Sequence, residues 1–119
     1  MKFNHIVLMK FRSSVSEEEI SRLYDSLAAL KVKIPGILEF SGVSYLPLPH
    51  LGQQAHIMVQ GAYSSSEGFN KGFTHAFSMT FASEEARDSY IPHPEHELVK
   101  QMLIGMIEDV IGFDYARSD

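Results

Sequence analysis

A chain of 119 residues has the length of one domain, and its composition, 45% hydrophobic with 21% charged, excludes a disordered tract. The formal charge of −5, with lysines and arginines scattered rather than clustered, argues against a nucleic-acid surface, which needs basic side chains to displace counterions. Cysteine is absent, which excludes disulfides, thiolate nucleophiles and cysteine-ligated metals and fits a reducing compartment.

The opening Met-Lys-Phe-Asn-His has no charged leader followed by a long apolar stretch. The longest apolar run, Ile6 to Met9, is far short of the roughly 20 residues that span a bilayer. A cytoplasmic location with no membrane partner is therefore expected. Residues 2 to 11 form a β-branched and aromatic run. In a strand they place Phe3, His5, Val7, Met9 and Phe11 on one face and Asn4, Ile6 and Leu8 on the other. Both faces are largely apolar, so both should be covered, the second by a partner.

Ser16 with Glu19 three residues on makes a capping box, with Glu17 and Glu18 at the positive end of the helix dipole. Ile20, Leu23, Tyr24, Leu27 and Leu30 then recur at helical spacing, and Pro35-Gly36 ends the element. Residues 37 to 46 read as a second strand with Gly42 as its bulge. The stretch from 47 to 72 is punctuated by Pro and Gly and reads as an extended loop or insertion, with Ala55 to Val59 a short strand or helical turn. His50 and His56 fall inside it and are expected to face solvent.

Residues 73 to 81 give the cleanest strand, with Phe73, His75, Phe77, Met79 and Phe81 on one face and small Thr74, Ala76, Ser78 and Thr80 on the other. Ser83 caps a short helical segment running to Tyr90. Pro94 suits the first position of a further helix, with His93 before it as a cap and Leu98, Val99, Met102, Leu103 and Met106 as its buried stripe. Ile107 to Tyr115 reads as the last strand. The order strand, helix, strand, strand, helix, strand is that of an α+β, ferredoxin-like βαββαβ domain spanning 1–119. The expected sheet has its first and third strands side by side and parallel at the centre.

The opening HIVLMKF, the central FNKGFTHAFSMTF and the run RDSYIPHPEHELV together resemble the stress-responsive dimeric α/β-barrel family, in order and over nearly the whole chain. The resemblance implies a homodimer in which two such sheets pack into a shared barrel, with a cavity in each subunit between sheet and helices. In the plant polyketide cyclases of that family the cavity closes a linear poly-β-ketone by aldol-type chemistry without a metal or other cofactor. Their pocket residues fall on His5, His75, Tyr90 and His96 here, and all four types are retained. The 47–72 segment is much longer than the matching turn in those enzymes.

Histidine titrates near neutral pH, so it can take and return a proton in one cycle. A carbon acid beside a carbonyl needs that base and a donor for its enolate oxygen. His96 is therefore expected as base, Tyr90 as its partner or donor, and His5 and His75 as donors to substrate oxygens. Taken singly, a strand histidine is more often a core residue than a catalyst, and Tyr90 could simply pack its ring. His93 and His96, with Glu95 or Glu97, are a poor metal pattern, because a zinc or iron site needs at least three converging ligands. Three function classes stay open: a cofactor-free acid–base enzyme acting on a carbonyl or polyketide-like small molecule, a non-catalytic stress-linked binding or structural homodimer, and a cofactor-free monooxygenase or isomerase of the broader barrel superfamily.

Overall fold

The computed structural model describes residues 1–44, 61–62 and 67–118. In chain order the elements are β1 (Lys2–Phe11), α1 (Glu17–Lys33), β2 (Ile37–Ser44), β3 (Gly61–Ala62), β4 (His75–Phe81), α2 (Glu84–Tyr90), α3 (Pro94–Met106) and β5 (Ile107–Arg117). They build one sheet in the order β3-β2-β4-β1-β5. All three helices contribute to one hydrophobic cluster on a single face of that sheet, which is the ferredoxin-like α+β arrangement. The two-residue β3, within the long middle segment, runs parallel to the end of β2. Ala55 to Val59, His50 and His56 lie outside the described residues.

The first strand and β4 are neighbours at the centre, as expected, but they run antiparallel, Phe3 opposite Phe81 and Met9 opposite His75. The reason is topological. The crossover through α1 makes β1 and β2 parallel but leaves a strand's width between them, and β4 fills that gap antiparallel to both. β5 closes the other side of β1, again antiparallel. The irregularity in β2 falls at Leu38, between Ile37 and Glu39, whereas Gly42 pairs in register with Phe77.

The helix starts follow the local code. The Ser16 hydroxyl accepts from the Glu19 amide at 3.1 Å, and the Glu19 carboxylate accepts from the Ser16 amide at 3.1 Å, so two orphan donors of α1 are satisfied. Ser83 accepts from the Ala86 amide, and His93 Nδ1 accepts from the Glu95 amide at 3.1 Å, with Pro94 as the first residue of α3. Gly36 turns the chain from α1 into β2 at φ +96°, and a Cβ there would come within 2.6 Å of the Ala86 Cβ.

α1 buries the stripe its spacing predicts: Leu23, Tyr24, Leu27 and Leu30 are all buried and Ile20 packs beside them. α3 does not. Of its five predicted core positions only Val99 is buried, Leu103 and Met106 are partly so, and Leu98 and Met102 are 68% and 41% exposed. At about 100° per residue, the predicted stripe and the observed inward face differ by a rotation of roughly 50°. That rotation carries His96 and Lys100 toward the sheet and Leu98 away from it.

Candidate functional site

The turn of α3 leaves a gap between the helices and the β1–β5 side of the sheet. This cavity has a volume of about 220 Å³, small beside the ~300–1,000 Å³ of pockets for drug-sized ligands. His5, Tyr90, His96 and Lys100 are its polar lining, and the remainder is apolar, with Val7 and Leu27 among the walls. An apolar cleft with a few converging polar groups is the usual form of a binding site.

Each polar group arrives by a different route. His5 is on the inner face of β1, where the side-chain alternation puts it beneath the helices. Tyr90 ends α2. His96 lies in the first turn of α3, and its ring packs on that of Tyr90 with centroids 4.1 Å apart. His5 meets the Tyr90 ring nearly edge-on at 6.1 Å. Three of the four residues singled out from the sequence therefore converge on one space.

The hydrogen bonds fix protons on both histidines. His96 Nδ1 lies 2.9 Å from the Ile91 carbonyl, which can only accept, so Nδ1 carries the proton and the neutral ring keeps its lone pair at Nε2. Burial lowers the His96 pKa below the ordinary imidazole value; the Ile91 bond pushes back, and the charge of Lys100 lowers it further. His5 Nδ1 contacts Asp114 Oδ1 at 2.6 Å, and Arg87 donates to the other oxygen, Oδ2, at 2.9 Å. Burial alone would raise the Asp114 pKa, but the hydrogen bonds and charges of His5 and Arg87 outweigh it and hold the carboxyl ionised. The Tyr90 hydroxyl is pushed up by burial and then by Asp114, so it stays protonated and able to donate.

His75 lies elsewhere. It is opposite Met9 at the far end of the inner face, with its ring edge-on to Phe11 at 4.9 Å and Nδ1 3.0 Å from the Thr74 hydroxyl. Its Nε2 is buried with no hydrogen-bond partner among the described residues, and burial lowers its pKa to about 4. It does not line the cavity. His93 serves as the cap already described, with its Nδ1 occupied.

Asp114, Arg87 and Lys100 were not among the residues singled out from the sequence. A signal existed for two of them. Arg87 is three residues before Tyr90 and so shares its side of α2, and Asp114 is an acid set between the aromatic Phe113 and Tyr115 of the last strand. Only the register, which sets Asp114 opposite His5, shows that the acid belongs to the site.

Comparison with known proteins agrees with this architecture. The model of the Stress responsive A/B Barrel Domain matches residues 48–117. The stress-response A/B barrel domain-containing protein HS1 of Arabidopsis thaliana is 31% identical over 93% of this chain and 85% of its own length. The chain belongs to the stress-responsive A/B barrel domain family. Among solved structures, a hydroxynitrile lyase from Passiflora edulis superposes with a TM-score of 0.75, covering 99% of the present chain and 94% of its own, at 18% identity. A dimeric ferredoxin-like protein from Thermobifida fusca gives a TM-score of 0.72, over 98% of this chain and 92% of that one, also at 18% identity. At that identity the two structures share the A/B barrel fold and nothing more specific. In this A/B barrel protein the matched stretch carries the Tyr90–His96 pair, with His5 supplied from the opposite side of the cavity.

Proposed function

We propose that this A/B barrel protein catalyses proton transfer on a small carbonyl compound inside each subunit of a homodimer, using its own side chains and no cofactor. The observation that carries the reading is the Tyr90–His96 pair at the cavity, one ring fixed with its free lone pair at Nε2 and the other held as a protonated phenol. In the proposed step His96 Nε2 removes a proton from the carbon next to a carbonyl. The electron pair of the broken C–H bond moves onto the carbonyl oxygen, which accepts a hydrogen bond from the Tyr90 hydroxyl. The carbanion equivalent then attacks a second carbonyl of the same chain, and the imidazolium returns its proton to the new alkoxide, so the step is balanced without redox change.

The homodimer rests on the other face of the sheet. Ile6 and Leu8 lie there opposite Phe113 and Ile111, with Phe113 62% exposed, and among the described residues no helix covers them. A face of large apolar side chains on a small domain calls for a partner surface. The dimeric ferredoxin-like neighbour has the same fold.

Linear poly-β-keto compounds, with a cyanohydrin as the alternative probe, test the chemistry by product analysis after incubation with the purified protein. Turnover that falls about 100-fold or more in His96→Gln supports the reading. Full turnover in that variant overturns the assignment of the base, and binding without any turnover makes the protein a binding module. Sedimentation of the wild type as a dimer, and of Phe113→Lys as a monomer, is the expected result for the interface; a wild-type monomer overturns it.

A further inference from the structure

We infer that Asp114 and Arg87 are positioning residues that hold His5 protonated at Nδ1, so that its Nε2 is the position that exchanges protons with the cavity. His5 and Asp114 are directly opposed across β1 and β5, and their 2.6 Å contact is short even for a charge-assisted hydrogen bond. A carboxylate can only accept, so Nδ1 must donate. His5 Nε2 has no protein partner among the described residues, and His5 lines the cavity.

Arg87 makes the arrangement rigid. Its guanidinium donates to Asp114 Oδ2 at 2.9 Å and to Asp88 at 2.8 Å, and it lies over the Phe3 ring at 5.3 Å. Both Asp114 oxygens are thereby assigned, one to His5 and one to Arg87, so the carboxylate cannot rotate without losing a charge-assisted bond. The other titratable groups facing His5 are Tyr90 from α2 and His96 from α3. A histidine held this way has one job per protonation state: neutral, it accepts at Nε2; protonated, it donates from Nε2. It therefore complements His96 as a second proton carrier on the opposite wall. The effect on turnover rests on the proton transfer proposed above, whereas the tautomer does not.

Long-range proton–nitrogen correlation spectra of the 15N-labelled full chain, recorded above neutral pH, read the tautomer of each ring. The wild type is expected to show His5 with a protonated Nδ1 and a bare Nε2; a bare Nδ1 overturns the inference. In Asp114→Asn, Arg87 retains the amide oxygen and turns the NH2 toward His5, so the protonated and bare nitrogens exchange places. In Arg87→Met with Asp114→Asn nothing orients the amide, and the two tautomers are expected to mix. An unchanged tautomer in a folded Asp114→Asn protein overturns the role of Asp114, and an exchange that persists without Arg87 overturns that of Arg87. If Asp114→Asn fails to fold, the wild-type spectrum still decides: a protonated Nδ1 with a bare Nε2 supports the inference, and a bare Nδ1 overturns it. Where a substrate is turned over, Asp114→Asn is expected to lower kcat about 10- to 100-fold with KM little changed. Absence of turnover in every variant defeats the proposed function and leaves the tautomer result standing.

Discussion

The two long helices lie on the same sheet and obey different rules. α1 turns its predicted apolar stripe straight down, and Leu23, Tyr24, Leu27 and Leu30 pack densely over β1, β2 and β4. α3 carries an apolar stripe of equal length but is rotated off it, exposing Leu98 and bringing His96 and Lys100 over β1 and β5. Burying Leu98 would add roughly 1.5–3 kcal/mol of transfer free energy by itself, so the rotation is costly unless other contacts compensate. Local pattern and global placement agree in natural sequences except where function overrides stability. α1 therefore serves the core, whereas α3 also brings polar side chains to the cavity.

Truncation should separate the two helices most sharply. Leu23 is fully buried, and Leu23→Ala is expected to cost about 3 kcal/mol, because the surrounding side chains cannot close the hole. Leu103 already borders open space, so Leu103→Ala, which enlarges an existing cavity, is expected to cost about 1 kcal/mol. Urea denaturation of the two variants checks the difference. Equal losses would mean that α3 is packed as tightly as α1.

The histidines extend the contrast into pH. His75, at the packed end, is neutral when folded down to about pH 4, whereas in the unfolded chain it takes a proton near 6.5. The unfolded state therefore binds more protons between those values, and stability falls as the pH drops from 6.5 to 4. With allowance for the partial exposure of the residue, the loss attributable to His75 is on the order of 2 kcal/mol. The difference in unfolding free energy between wild type and His75→Leu, followed from pH 7.5 to 4, isolates it from the carboxylates that titrate in both. A difference that stays flat across that range removes burial as the cause. His96 is also lowered, but it is only half-buried and opens onto the cavity, so its acid dependence should be smaller.

What the sequence made legible was whatever depends on neighbours in the chain. The Ser16–Glu19 box, the Ser83 and His93 caps, Pro94 at its helix start and the two faces of β1 are all settled within a few residues. That β1 and β4 are neighbours at the centre followed from the succession of elements, but the sense of β4 against β1 did not, because it depends on which gap the crossover leaves. The same limit divided the histidines. His5 and His75 share the inner face of the sheet, and only the register shows that one stands beside Asp114 and the other beside Phe11. The His5–Asp114 contact joins residues 109 positions apart, which no local signal can pair. The Tyr90–His96 pair was accessible because both lie in one short run, where a helix end and a helix start bring them together.

The smallest effect tests the rotation of α3 itself. The apolar spacing counts Leu98 as core, in which case Leu98→Gln should be as damaging as a buried leucine's loss. In the structure that side chain is 68% exposed, so the substitution is expected to change the unfolding free energy by no more than about 0.5 kcal/mol. The measurement belongs at a protein concentration where the proposed dimer is populated and again where it is not. Leu98 is on the helix layer rather than on the uncovered face of the sheet, so the result should be the same at both. A loss of 2 kcal/mol or more at either concentration would return Leu98 to a buried environment and, with it, turn His96 away from the cavity. The geometry on which the proposed base depends would then be lost, and a role as a structural or partner-binding dimer would become the better account of the protein.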